Sequence, residues 1–229
     1  MATFGIESKS VVVNTLKRIQ KNSTSRNRDM VPNPFLGVVM SEVFGFDGER
    51  AIRFLIDSRF ERSIVTSLGF MLQKLCKTLL PEGTGVAGAD VQLEVEGHVY
   101  YIQIKSGPNT VDRDICENIS RNLFSACLRH GGDHPAHPLL GICYGTRAQV
   151  NPWPAQFNLP YKVGEEFWRF ISEGDVGLSD AINFVKDVAR DMGFKDFRRD
   201  IAQSTTTLRN NLFDTYMAGD SLDWSQETL

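Results

Sequence analysis

One stretch of the chain leaves little freedom in what can surround it. In ADVQLEVEGHVYYIQIKSG, residues 89–107, apolar and polar side chains alternate on either side of Glu96-Gly97. Alternation of this kind around a glycine-containing pair predicts the two strands of a β-hairpin. With Glu96 and Gly97 at the turn, Val95 opposes His98 and Asp90 opposes Gln103. Successive side chains of a strand point to opposite faces. One face then carries Val91, Leu93 and Val95 with Tyr100, Ile102 and Ile104, and is the core side. The other carries Asp90, Gln92 and Glu94 with Val99, Tyr101, Gln103 and Lys105. Asp90, Gln103 and Lys105 therefore meet at the end of the hairpin far from its turn.

A lysine after Tyr-Tyr-Ile-Gln-Ile is a costly charge to place if helices cover both sheet faces. An edge hairpin with one wet face accommodates it with no further consequence. The alternative is chemical. An Asp at the start of one strand and a Lys at the end of the next can hold a divalent cation and orient a water beside it.

Helical patterns surround the hairpin. Ser8–Asn22 places Val12, Leu16 and Ile19 at helical spacing, and the polar KNSTSRNRDMVPNP that follows is loop-like. An apolar stretch, Pro34–Phe46, comes next. Ser58–Leu80 carries Ile64, Leu68, Leu72, Leu75 and Leu79 as one stripe, with Ser58 as the expected N-cap, Glu61 as its capping-box partner, and Pro81 and Gly83 as the stop. After the hairpin, Thr110–His130 reads as a helix and Pro138–Thr146 as a short buried strand. NPWPAQFNLP reads as a loop, and Gly164–Ser172, Leu178–Met192 and Phe197–Ala218 as helices. Few central strands wrapped by helices make an α/β or α+β fold.

Composition narrows the function classes. No apolar run approaches ~18 residues, so no transmembrane helix is expected. The start, MATFGIESKS, lacks the basic-then-apolar pattern of a secretory signal. Cys76, Cys116, Cys127 and Cys143 form no CxxC pair, which suits reduced cytoplasmic thiols better than disulfides or zinc. A formal net charge of -3 excludes a uniformly basic coat and leaves room for a local basic face. No P-loop or GxSxG occurs, and no nucleotide cofactor is expected. His130, His134 and His137 lie in RHGGDHPAHP, whose glycines and prolines read as loop rather than as a zinc site.

GADVQLEVEGHVYYIQIKSGPNT resembles the active-site hairpin of the PD-(D/E)XK nuclease superfamily, in which an Asp begins one strand and acid-x-Lys closes the next. RFERSIVTSLGFMLQKL is similar to the acid-bearing helix that precedes it. IKSGPNT and YKVGEEFWRFISEGD resemble segments of type II restriction endonucleases that cut GGNCC-type sites. The resemblance spans roughly residues 55 to 195. It implies an α/β fold with a small mixed central sheet flanked by helices, and a single nuclease domain over residues 1–229. Residues 1–50 would contribute DNA contacts, 51–195 form the catalytic core and 196–229 form a C-terminal helix and tail. One residue departs from the pattern: the acid of acid-x-Lys is Gln103, a neutral and weaker donor to a hard cation.

The resemblance implies a Mg2+-dependent, sequence-specific endonuclease acting on double-stranded DNA as a cytoplasmic homodimer, because cutting both strands calls for two sites related by a two-fold axis. Asp90 would be the principal Mg2+ ligand and Gln103 a second. Lys105 would orient the attacking water, and Glu61, from the preceding helix, would bind the metal through water or hold a second ion. Lys17, Arg18, Lys21, Arg26 and Arg28 suit phosphate contacts, with a solvated helix end as the alternative. Asn109 and Arg113 are further candidates for DNA contact. Gln103 keeps open a second reading, a catalytically silent DNA-binding or interaction protein. A repair or structure-specific nuclease on the same fold is a third.

Overall fold

Glu96 and Gly97 have φ of 50° and 75°, the left-handed pair that a two-residue turn needs to match the twist of its strands. They join β1 (Val91–Val95) to β2 (His98–Lys105) in the expected register, with Val95 opposite His98 and Val91 opposite Ile102. On its other edge β2 pairs in parallel with β3 (Ala136–Ile142), so that Gln103 lies beside Leu140 and Lys105 beside Ile142. β3 pairs in parallel with β4 (Tyr161–Val163). The result is one mixed sheet in the order β1-β2-β3-β4. The computed structural model describes residues 3–25, 33–80, 85–132, 134–193, 195–219 and 221–222.

This topology corrects the edge-hairpin reading. Of the two hairpin strands only β1 lies at an edge of the sheet, and its exposed Gln92 and Glu94 keep one wet face. Along β2 the polar face is covered where it carries Val99 and Tyr101, which pack with Leu140 and Ile142 against α4 (Arg113–His130). That helix supplies Cys116, Ile119, Leu123 and Ala126 to the same core. It starts at Asp112, whose carboxylate accepts the Ile115 N–H at 2.8 Å, an N-cap. The opposite sheet face packs on α6 (Glu165–Ile171), whose Phe167 and Trp168 are fully buried. The Trp168 indole donates to the Cys143 carbonyl at 2.7 Å.

The remaining helices are α1 (Ile6–Ser25), α2 (Pro34–Glu42), α3 (Gly48–Lys77), the short α5 (Trp153–Gln156) inside the expected proline-rich loop, α7 (Leu178–Asp191) and α8 (Lys195–Tyr216). A two-residue pair, β5 (Met217–Ala218) with β6 (Ser221–Leu222), follows α8. None of the helices among the described residues is long and apolar enough to cross a membrane.

The sequence expectation for α3 is corrected at its start. The helix begins ten residues before Ser58, at Gly48, and the Asp47 side chain accepts the Arg50 N–H at 2.8 Å. Ser58 and Glu61 are interior helical residues, so neither belongs to a capping box. Ala51, Ile52, Leu55 and Ile56 had the helical spacing, and their burial extends the element backwards. Pro81 and Gly83, the expected stop, lie outside the described residues.

The chain groups into two compact units, both entered by α1 and α3. The first, Met1–Asn14 with Leu68–Met192, holds the four-stranded sheet. In it Phe4 stacks on Phe184 with ring centroids 4.5 Å apart, and Ser8 shares a 2.7 Å hydrogen bond with Thr78. The second, Thr15–Ser67 with Gly193–Leu229, centres on Ile52 and Ile56 against Leu208, Leu212 and Tyr216 of α8. There Glu49 accepts from Arg209 at 2.7 Å. The segment 51–195 is thus shared between the two units.

Close packing at β3 makes Gly141 irreplaceable. A Cβ there would lie 2.1 Å from the Phe167 ring. Gly141→Ala should cost about 1–3 kcal/mol through overpacking, read as a lowered midpoint in urea unfolding with an unchanged m-value.

Candidate active site

Asp90 immediately precedes β1 and is already paired, its N–H donating to the Ile102 carbonyl at 2.9 Å. Its side chain reaches across to β2. Oδ2 accepts the Ile104 N–H at 2.9 Å and also the Gln103 amide. The acid and the amide are therefore in contact, on adjacent strands. Lys105 is two residues beyond Gln103 on the same face, about 7 Å along the strand. It is half-buried, and its ammonium makes no ion pair with any described residue.

The end of β2 is also held from α3. The Gln73 amide donates to the Ile104 carbonyl at 2.9 Å. Gly69, one turn earlier, lies beside Ser106. Cys76, one turn later, meets Cys143 at a sulfur–sulfur distance of 3.9 Å. Burial pushes the Cys76 thiol well above its ordinary range, and Cys143 and the nearby Asp90 carboxylate add to the effect. Gly69, Gln73 and Cys76 form a narrow strip at helical spacing against the strand end. Both backbone groups of Ile104, between Gln103 and Lys105, are thus occupied by side chains from outside β2.

The other sequence candidates are distributed as follows. Glu61 is exposed on the first half of α3, in the second unit. Lys17, Arg18 and Lys21 are exposed on α1, also in the second unit. Arg26 and Arg28 lie outside the described residues. Asn109 is exposed in the 3-10 turn Pro108–Thr110, directly after the Lys105 strand. Arg113 is exposed at the first position of α4. The histidine segment is not wholly loop: His130 ends α4, and His137 in β3 shares a 2.8 Å hydrogen bond with His98 of β2.

Gln73 escaped the sequence reading. Its signal was an amide between Leu72 and Leu75 on a stripe otherwise apolar. A polar group at the edge of such a stripe needs a partner inside the fold.

Among the described residues no group of three or more His, Cys, Asp or Glu side chains is placed to hold a metal ion. The pair Asp90 and Gln103 nonetheless fits magnesium in kind. Asp90 Oδ1 and Gln103 Oε1 accept no hydrogen bond from a described residue. Mg2+ is commonly held by one or two protein oxygens, with waters and substrate phosphate completing its shell.

A mixed sheet flanked by helices, with an Asp before one strand and Gln-x-Lys closing the next, defines an α/β core of the PD-(D/E)XK, restriction-endonuclease-like kind. The family model for type II restriction endonuclease EcoO109I matches residues 49–193, more than half of the chain, and the protein belongs to that family. It is a site-specific deoxyribonuclease, a type II restriction enzyme. No curated protein matches it.

The Asp90 carboxylate has a structural share in this site. Asp90→Ala leaves the Ile104 N–H without its acceptor and should lower stability by about 1–3 kcal/mol. Asp90→Asn, which keeps one acceptor oxygen, should lose less. Denaturant unfolding of the two variants side by side checks the order.

Proposed function

We propose that the enzyme hydrolyses phosphodiester bonds of double-stranded DNA with Mg2+ at a GGNCC-type site, acting as a homodimer in the cytoplasm. The observation that carries this reading is the contact between Asp90 and Gln103 with Lys105 two residues further on the same face. Hydrolysis needs charge neutralised on the non-bridging oxygens and a water aimed in line with the leaving oxygen. Magnesium, when bound, supplies that neutralisation and lowers the pKa of bound water. Asp90 would hold it through Oδ1, and Gln103 would offer its amide oxygen. Lys105 would contact a non-bridging phosphate oxygen and hold the water against it. Gln73 keeps the Ile104 carbonyl in place, and so supports the strand that presents Gln103 and Lys105.

Glu61, exposed on the first half of α3, is kept as a proposed source of negative charge toward the metal. Asn109 and Arg113 follow the Lys105 strand and are proposed to contact the DNA backbone. Lys17, Arg18 and Lys21 offer a separate exposed basic set on α1. The homodimer follows from the substrate, since two antiparallel strands are cut equivalently by two sites related by a two-fold axis.

Plasmid DNA incubated with the enzyme and Mg2+ should give discrete fragments; a smear, or no cleavage across divalent metals, overturns the proposal. Asp90→Ala and Lys105→Ala should each abolish cleavage while DNA binding, followed by fluorescence anisotropy, stays largely intact.

Gln103 leaves Asp90 as the single anionic side chain of the pair. Gln103→Glu should therefore yield an active enzyme that saturates at lower Mg2+ concentration, because a hard cation favours anionic oxygen. A titration of cleavage rate against Mg2+ measures it, and an inactive Gln103→Glu variant would show that the amide is itself required.

A further inference from the structure

The ladder between β2 and β3 does not stop at Lys105 and Ile142. Cys143 N–H donates to the Lys105 carbonyl at 2.9 Å, and Tyr144 N–H to the Ser106 carbonyl at 3.2 Å. Tyr144 therefore comes to lie beside Gly107, just past the last ladder pair of Lys105 with Ile142. Gly107 is extended, with φ -154° and ψ 173°, so no left-handed backbone calls for a glycine there. Space does. A Cβ on Gly107 would lie 2.2 Å from Cζ of Tyr144 and 2.5 Å from its hydroxyl oxygen. The phenol end of Tyr144 therefore rests directly on the backbone two residues beyond Lys105.

The two loops are pressed together a second time. A Cβ on Gly145 would stand 3.0 Å from the Pro108 ring. Tyr144 is thus seated by its neighbours, yet its side chain is 47% exposed. Its hydroxyl has no hydrogen-bond partner among the described residues. A seated ring with an open hydroxyl, just past the end of the strand that carries Gln103 and Lys105, is organised before any substrate arrives. A hydroxyl donor of this kind suits a DNA phosphate, because hydrogen bonds to ionised oxygen are the stronger class and backbone contacts set register on a duplex.

We propose that Tyr144 is a substrate-contacting residue whose hydroxyl donates a hydrogen bond to a DNA phosphate oxygen next to the position addressed by Lys105. The proposal rests on reading the end of β2 as the active site. Tyr144→Phe keeps the ring on Gly107 and removes only the hydroxyl. Binding is measured by anisotropy with Ca2+ on short duplexes containing a GGNCC site, and cleavage by single-turnover assays with Mg2+. Tyr144→Phe should bind about ten-fold more weakly, the size expected for a hydrogen bond to a charged group. A series of duplexes, each with one phosphate replaced by an uncharged methylphosphonate, then locates the partner. At one position the difference between wild type and Tyr144→Phe should shrink to less than two-fold. Wild-type-like binding and cleavage by Tyr144→Phe overturns the proposal. So does a loss that persists at every methylphosphonate position, which would mark the hydroxyl as structural. Wild-type protein that binds but does not cut refutes the hydrolytic reading alone, since the binding cycle still decides on Tyr144. Wild-type protein that neither binds nor cuts refutes both.

Discussion

The side chain of Asp90 closes the open end of the hairpin, and the site depends on that closure. A hairpin is held tightly at its turn and frays at its free ends. Here the free end is where the chemistry lies. By accepting the Ile104 N–H at 2.9 Å, the carboxylate joins the start of β1 to the end of β2 just beyond the regular ladder. One oxygen thereby fixes the position of the acid, and the other stays open. Gln103, contacting the same carboxylate oxygen, is oriented by the acid it accompanies.

The second constraint is the parallel pairing of β3 with β2. It turns the hairpin's inner strand into a central one, buried under α4 on the face that also carries Gln103 and Lys105. Val99 and Tyr101 are lost to solvent, while Gln103 and Lys105 remain half-buried. The polar groups are therefore confined to the end of the strand. A long charged side chain there can keep its stem among apolar neighbours and its ammonium at the surface. The same pairing brings Cys143 and Tyr144 alongside Lys105 and Gly107, so the rim of the site is built from two loops that are remote in sequence.

Replacing the usual acid with Gln103 changes the electrostatics of the site more than its shape. An amide fills the space of a carboxylate and donates to Asp90, whereas two carboxylates at that spacing would repel each other without a cation between them. The contact between Gln103 and Asp90 therefore leaves Asp90 Oδ1 and Gln103 Oε1 as the open acceptors of the pair. Gln73 contributes in the same sense, as a neutral side chain that occupies the carbonyl between Gln103 and Lys105.

The hairpin, its turn, its register and the shared face of Asp90, Gln103 and Lys105 were legible from residue order, because alternation and turn chemistry act between near neighbours. Most helices were legible for the same reason, through the spacing of their apolar residues. Where α3 begins was not, because Ser58 looks like a cap when nothing shows that Ile52 and Ile56 are buried against Leu208 and Leu212 of α8. Nor did β4 stand out, three residues whose strand identity comes from pairing with β3. Gln73 and Tyr144 belong to this second kind. Each looks ordinary in its own segment and acquires a role through a contact across 31 residues to Ile104, or through a ring laid on Gly107. Contacts of that range depend on how helices and strands dock, which is settled by packing summed over the whole core. Residue order alone carries no local mark of them.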